Sequence, residues 1–480
     1  MPDTFLWFDL ETFGRDARRS RIAQFAAQRT DTELNPIGAP ISLFCQPARD
    51  LLPSPEAALI TGITPQQAQR DGLIEAVFLA RVHEALGEPG TCAVGYNSLR
   101  FDDEFLRFSL YRNFYDPYER EWRNGNSRWD IIDMVRMVYA LKPEILQWPE
   151  REPGVPSFKL EELTRVNGIA HAAAHDALSD VQATIALAGL IRNRAPALYD
   201  YCWNLRSKDY ALQRLDIAEH RPFLHVSSRF PARQGCVAIV APLVRLKSNA
   251  NAILVFDLSV DPTPLATLSV EEIRQRVFSA EADLPAGHHR LPLKLLHLNR
   301  TPMMAPVAML SDQRAEQLGI DKSLCERHWH ELGNVESVAA RLQQVFERQY
   351  EPAEDPELAL YEDFIPDADR ALCERVRQAQ GDQLLSTTFP FVDRRLTELL
   401  FRYRARFFPE SLTEAEQSQW FEQVAARLLR KDADDYQCLE GYFRVIDLLR
   451  QEKPNDQRSQ ALLGTLEDWG RELQQKYSQA

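Results

Sequence analysis

The stretch FLWFDLETFG near the start of the chain limits what can surround it. Phe5 to Leu10 reads as a buried strand, yet Asp9 and Glu11 occupy its end. Side chains alternate along a strand, so both carboxylates point to the same face. Two like charges side by side in a core are costly, and a fold keeps them there only with something positive between them. The pair alone is a weak signal, because a solvated strand end explains it equally well.

Two further clusters tip the balance. In GYNSLRFDDEF, Asp102 follows an apolar strand, Thr91–Tyr96, and a short polar turn. In HAAAHDALSDVQAT, His175 and Asp180 lie five apart at the start of a helix, where Asp176 and Asp180 are one turn apart. Four carboxylates and one histidine make a hard-oxygen cage of the kind that selects magnesium or manganese over zinc. Two divalent ions would offset Asp9, Glu11, Asp102 and Asp180. Such a pair, about 4 Å apart, activates a water and stabilises the leaving oxygen of a phosphodiester. A histidine titrating near neutrality suits the role of general base for that water. The chemistry implied is phosphodiester hydrolysis.

At 480 residues the chain exceeds one core, and three domains are expected: 1–195, 196–350 and 351–480. The first alternates strands (Phe5–Leu10, Ile22–Gln28, Ile41–Gln46) with helices (Phe158–Val166, Asp176–Asn193), an α/β layer pattern. The second holds β-branched runs at Cys236–Val244 and Ile253–Leu258 with a further candidate at Leu291–Leu298, and reads as mainly β. Beyond the linker-like EPAEDPE, the pattern is helical over Asp367–Gln380, Arg394–Phe407, Thr413–Lys431, Tyr436–Arg450 and Ser459–Lys476. The net charge of −14, taken as a total, is unfavourable for a polyanion partner. However, the segment from Glu351 onward holds 26 acids against 17 bases, so it carries most of the excess. Local basic patches matter more than the total when a groove tracks phosphates. Seven dispersed cysteines without a CxxC argue against disulfides or a zinc site and suit a reducing cytoplasm. No apolar run is long enough for a membrane span, and no basic leader precedes an apolar signal segment.

The motifs FDLETFG, GYNSLRFDDEF and HDALSD resemble those of the DEDDh (DnaQ-like) exonuclease superfamily. LPSPEAALITGITPQQA, YRNFYDPYEREW, NSRWDIIDM and KLEELTRVNGIAHAAAHDALSDV are similar to bacterial exonuclease I in particular. The resemblance implies a ribonuclease H-like mixed-sheet nuclease domain, an SH3-like β domain and an all-α C-terminal domain around one groove. It implies processive 3′-to-5′ degradation of single-stranded DNA to 5′-mononucleotides with Mg2+, Mn2+ being a substitute. Asp9, Glu11, Asp102 and Asp180 would hold the metal and His175 would be the base. Glu11 would also touch the terminal nucleotide and Lys159 a phosphate, with Arg107, Tyr118, Trp122 and Arg136 in the DNA-contacting region. The family further implies binding of the acidic C-terminal tail of single-stranded DNA-binding protein, for which Lys142, Tyr201 and Arg221 are the candidate positions. The chain is expected to act as a monomer, in the cytoplasm, in DNA repair and recombination.

Plainer readings stand beside these. His171 and His175 are four apart, but the zinc-protease motif needs glutamate where Ala172 stands. Asp103, Glu104 and Asp176 read as solvated neighbours of the site, and Asp130 and Asp133 as one helical face near Arg128 and Arg136. Tyr118 and Trp122, four apart, fit an apolar helix face as well as a base-stacking pair. Arg395, Arg402, Arg404 and Arg406 read as a mostly solvated helix face with a groove contact for one or two, and Lys208, just past the nuclease domain, as a linker charge or a contact to an exiting strand. Rival functions are an RNA-trimming DEDDh exoribonuclease and a catalytically inactive single-stranded DNA-binding module. All five catalytic positions carry competent residues, which argues against the latter.

Overall fold

The computed structural model describes residues 3–171, 176–332, 336–347, 353–379 and 381–478. The chain packs as two compact units: one combines 1–127, 172–182 and 351–480, the other 128–171 and 183–350.

In the first unit, strands β1 (Thr4–Thr12), β2 (Ile22–Thr30), β3 (Pro36–Phe44) and β4 (Thr91–Gly95) lie in the order β3-β2-β1-β4. β1 is antiparallel to β2, with Asp9 opposite Ala26 and Glu11 opposite Gln24, and parallel to β4, with Trp7 opposite Val94. Period-two alternation sends Leu6, Phe8 and Leu10 to one face, where they pack with Phe78, Leu79, Val82, Phe105 and Leu106. Asp9 and Glu11 occupy the other. Helices α1 (Pro55–Thr61) and α2 (Pro65–Asp71) begin alike: Ser54 and Thr64 accept backbone N–H bonds from Ala57 and Gln67, and proline takes the first helical position. Helices α3 (Glu75–Gly87) and α4 (Asp102–Arg112) supply the apolar side chains that cover the even face of β1.

The segment after residue 352 completes this unit with helices, five of them long: Asp367–Gln378, Arg394–Phe407, Glu414–Leu428, Leu439–Glu452 and Gln457–Tyr477. Leu396, Leu399 and Tyr403 pack with Phe108, Tyr111 and Phe114 from and just after α4. Beneath this contact lies a buried ionic network. Asp50 accepts from Arg406 at 2.8 and 3.0 Å and from Arg427 at 2.5 Å, and Glu357 joins Arg406 to Arg21. Burial alone would raise the Asp50 carboxyl, but Arg406 and Arg427 hold it well below the usual range. The expectation of a solvated arginine face on Arg394–Phe407 is therefore corrected. Arg406 is bound to Asp50 and Glu357, Arg402 to Asp355 and Glu398, Arg404 to Glu416 and Arg395 to Asp393.

The second unit holds a five-stranded antiparallel sheet ordered Leu293–His297, Ala252–Asp257, Val237–Arg245, Phe223–Val226, Met304–Pro306. Its three longest strands fall within a residue or two of the two β-branched runs and the further candidate Leu291–Leu298. Around it are short helices, of which Val270–Phe278 starts with a Ser269/Glu272 capping box. All seven cysteines are reduced and buried. Among the described residues no helix is long and apolar enough to cross a membrane.

Candidate active site

The cage forms entirely within the first unit. Asp9 and Glu11 project from the same face of β1. Asp102, the first residue of α4, reaches the strand end, where the Leu10 N–H donates to its Oδ1 at 3.1 Å. The turn before α4 is tight. Asn97 adopts φ 64°, and a Cβ on Gly95 would lie 2.5 Å from the Ser98 Cβ, so only glycine fits. Asp180 comes from the first turn of the helix Ala177–Arg194. Carboxylate oxygens of Asp9, Glu11 and Asp180 all lie within 4.8 Å of one another.

Crowding shows in the proton affinities. Burial, then repulsion from Asp180, Asp102 and Asp176, carries Glu11 from 4.5 to about 8. Burial, then Asp102, Glu11, Asp180 and Asp176, pushes Asp9 well above its ordinary value. Oxygen-only donors that cannot all ionise together suit a hard divalent cation, whose charge would remove the repulsion. Asp176 thus belongs to the electrostatics of the site. His175 lies outside the described residues.

The remaining predicted positions are placed as follows. Arg107 is buried, and its guanidinium is taken by Glu121 at 2.8 and 3.0 Å, Glu104 at 3.0 Å and the Tyr361 hydroxyl at 3.3 Å. It also lies over the Tyr118 ring, 5.3 Å from its centre. Trp122 is 63% exposed, at the end of a single short turn, Glu119–Glu121, so Tyr118 and Trp122 do not share an α-helical face. In the second unit, Arg136 is buried against Asp133 at 2.5 Å and lies over Phe158. Lys159, just before the helix Leu160–Val166, is exposed beside Glu162. Lys208 is exposed at the start of Lys208–Leu212. Lys142 and Arg221 are exposed near Glu144 and Asp216, and the Tyr201 hydroxyl donates to the Met304 carbonyl. Asp130 ends a strand, whereas Asp133 lies in the helix Ile132–Leu141, which corrects the expectation of a common helical face. His171 is a loop residue, its Nδ1 3.1 Å from the Thr164 hydroxyl.

Three features escaped sequence reasoning. Asp103 is buried, not solvated, and paired with Arg120 at 2.5 Å. Tyr361 donates to Glu104 at 2.5 Å. Phe364, 75% exposed, meets the Tyr118 ring edge-on at 5.8 Å. The last two follow the acidic linker-like stretch, and only their aromatic character in so polar a context hinted at a role.

Comparison with known proteins agrees with this architecture. Residues 6–188 match the exonuclease family, 206–348 the exonuclease I SH3-like domain and 354–473 the exonuclease I C-terminal domain. Exodeoxyribonuclease I of Escherichia coli (strain K12) is 42% identical over 472 residues, 98% of each chain. The structure of a moderately thermophilic exonuclease I from Methylocaldum szegediense superposes with TM-score 0.92 at 47% identity, covering 98% of this chain and 99% of that one. A zinc ion bound form of the E. coli exonuclease I–single-stranded DNA complex gives 0.93 at 41% identity, with 98% and 100% covered. With a mixed-sheet exonuclease domain, an SH3-like domain and a helical C-terminal domain matched along nearly its whole length, the chain belongs to the exonuclease I family and is an exodeoxyribonuclease.

Proposed function

We propose that this exodeoxyribonuclease degrades single-stranded DNA processively from the 3′ end, releasing 5′-mononucleotides. The observation that carries the reading is the carboxylate cage, in which burial and three neighbouring acids hold Glu11 at about 8. Asp9, Glu11, Asp102 and Asp180 would hold two divalent ions, Mg2+ or Mn2+. When bound, these supply charge stabilisation at the scissile phosphate and activation of water. The zinc found in the E. coli relative's complex supports divalent-cation use, and the all-carboxylate donor set favours harder ions.

The chain's own groups do the rest. His175 accepts the proton of the attacking water, and Glu11 also meets the terminal nucleotide. Lys159, Arg136 and Lys208 contact phosphates. Trp122, Tyr118 and Phe364 offer ring faces and edges to bases, which favours binding without sequence preference. Arg107 acts from below, fixing Tyr118. Three functional segments, 1–195, 196–350 and 351–480, divide these tasks. Lys142, Tyr201 and Arg221 receive the acidic tail of single-stranded DNA-binding protein. The enzyme works as a monomer in the cytoplasm, in repair and recombination.

A 5′-labelled oligonucleotide tests this as single-stranded DNA, duplex and RNA, with Mg2+ or chelator, for wild type and His175→Ala. The expected result is a descending ladder on single-stranded DNA only, abolished by chelator and slowed at least about 100-fold in His175→Ala. Equal cleavage of RNA would move the chain to RNA trimming, and binding without cleavage would leave a DNA-binding module. Release after every nucleotide under single-encounter conditions would exclude processivity.

A further inference from the structure

We infer that Arg120 and Tyr361 are positioning residues for the metal cage: they clamp the first turn of α4 and thereby set Asp102 against Asp9 and Glu11. The inference rests on the metal-dependent reading above. The first turn of α4 carries three acids in a row, Asp102, Asp103 and Glu104, and its N-cap residue, Phe101, makes no side-chain cap. The helix dipole favours acids there, but three adjacent carboxylates repel one another, and each must be held in its own direction.

The structure holds them separately. Asp102 accepts from Leu10 N–H and is one of the acids pressing on Asp9 and Glu11. Asp103 turns inward to Arg120 Nη2 at 2.5 Å, with side-chain exposures of 2% and 0%. Glu104 receives Arg107 at 3.0 Å and the Tyr361 hydroxyl at 2.5 Å. Glu121, next to Arg120, takes Arg107 with both its oxygens. The short turn Glu119–Glu121 thus grips α4 twice, through Arg120 to Asp103 and through Glu121 and Arg107 to Glu104. Tyr361 secures the second grip from the C-terminal segment.

Arg120 is an expensive choice for mere packing. Its Nε and Nη1 are buried without a hydrogen-bond partner among the described residues, so Asp103 is its principal anchor. A fold that only needed volume here would use an apolar side chain.

Mn2+ binding to the metal-free full-length protein, followed by the EPR signal of free Mn2+, tests the clamp in Arg120→Met, Asp103→Asn and Tyr361→Phe. We expect each to weaken Mn2+ affinity about tenfold or more, as loss of an outer-shell partner does. The signs discriminate. Deleting the Arg120 charge would by Coulomb's law alone tighten cation binding, and deleting the Asp103 charge would loosen it. Opposite shifts in those two variants would therefore overturn positioning in favour of a purely electrostatic effect. Affinity within twofold of wild type in both Arg120→Met and Tyr361→Phe would overturn it too. Tyr361→Phe keeps the ring packed edge-on against Phe108 and carries the test if Arg120→Met does not fold. A wild type that binds Mn2+ no better than Asp9→Asn would instead refute the cage reading itself.

Discussion

Glu11 is carried from 4.5 to about 8 by burial and by the acids around it, so the folded chain without metal binds a proton there that the unfolded chain has released. A raised carboxyl pKa contributes stability that is complete below about 4.5 and is lost as pH rises toward 8. The metal-free protein should therefore show a thermal midpoint that falls between pH 5 and 8. Glu11→Gln should flatten that fall, and divalent cation should restore the midpoint at pH 8. A wild-type midpoint independent of pH in chelator would contradict the account. If Glu11 holds the metal as proposed, Glu11→Gln with Mg2+ present should cost activity on the order of 1,000-fold, because charge stabilisation by a bound ion is worth several kcal/mol. Asp9, Glu11 and Asp180, whose carboxylates meet, and Asp102, bound at the strand end, are readable as candidates because each sits at a local position the sequence marks: two on one strand face, two opening helices. Asp103 was not legible, because its partner Arg120 is reached only by the fold of the intervening turn.

The link from β4 to α4 is the element on which the cage depends most directly. Gly95 closes against Ser98 with no space for a Cβ, and Asn97 takes a left-handed conformation. Gly95→Ala should force this turn apart, destabilising the protein by about 1–3 kcal/mol in denaturant titration and displacing Asp102. A loss of activity larger than the loss of stability explains would locate the damage at the cage. Elements with strong periodicity were read with little error: Arg394–Phe407 matches its expected limits, and Ile22–Thr30 extends its expected strand by two residues. What covered the polar side of Arg394–Phe407 was not readable. An amphipathic pattern identifies the apolar stripe but is silent about whether water or a carboxylate meets the other face. Similarly, Tyr118 and Trp122 have helical spacing but lie on a short irregular turn, where spacing carries no facial meaning.

On the scale of the whole chain, the first unit is assembled from residues distant in sequence, and a buried charge network fastens them. Asp50 and Arg21 come from the nuclease segment, Glu357, Arg406 and Arg427 from the C-terminal one. Arg406→Met would leave Asp50, among the described residues, bonded to Arg427 with Arg21 farther off, and should cost about 3–5 kcal/mol, measured by chemical denaturation. The Asp50 carboxyl lies well below its ordinary value, so its contribution is present above about pH 4 and fades as pH falls. The difference between wild type and Arg406→Met should therefore shrink in acid; a difference that grew would refute the pairing. The sequence by itself determined the kinds of elements, the family and the candidate acids, because strand and helix periods and short motifs are written locally. Only the tertiary structure decided that residues 351–480 share a unit with 1–127, that arginines presumed solvated are buried on acids, and that Tyr361 and Phe364 meet Glu104 and Tyr118. Those outcomes depend on which distant groups desolvate one another, and burying a charge is favourable only beside a partner that no local pattern can name.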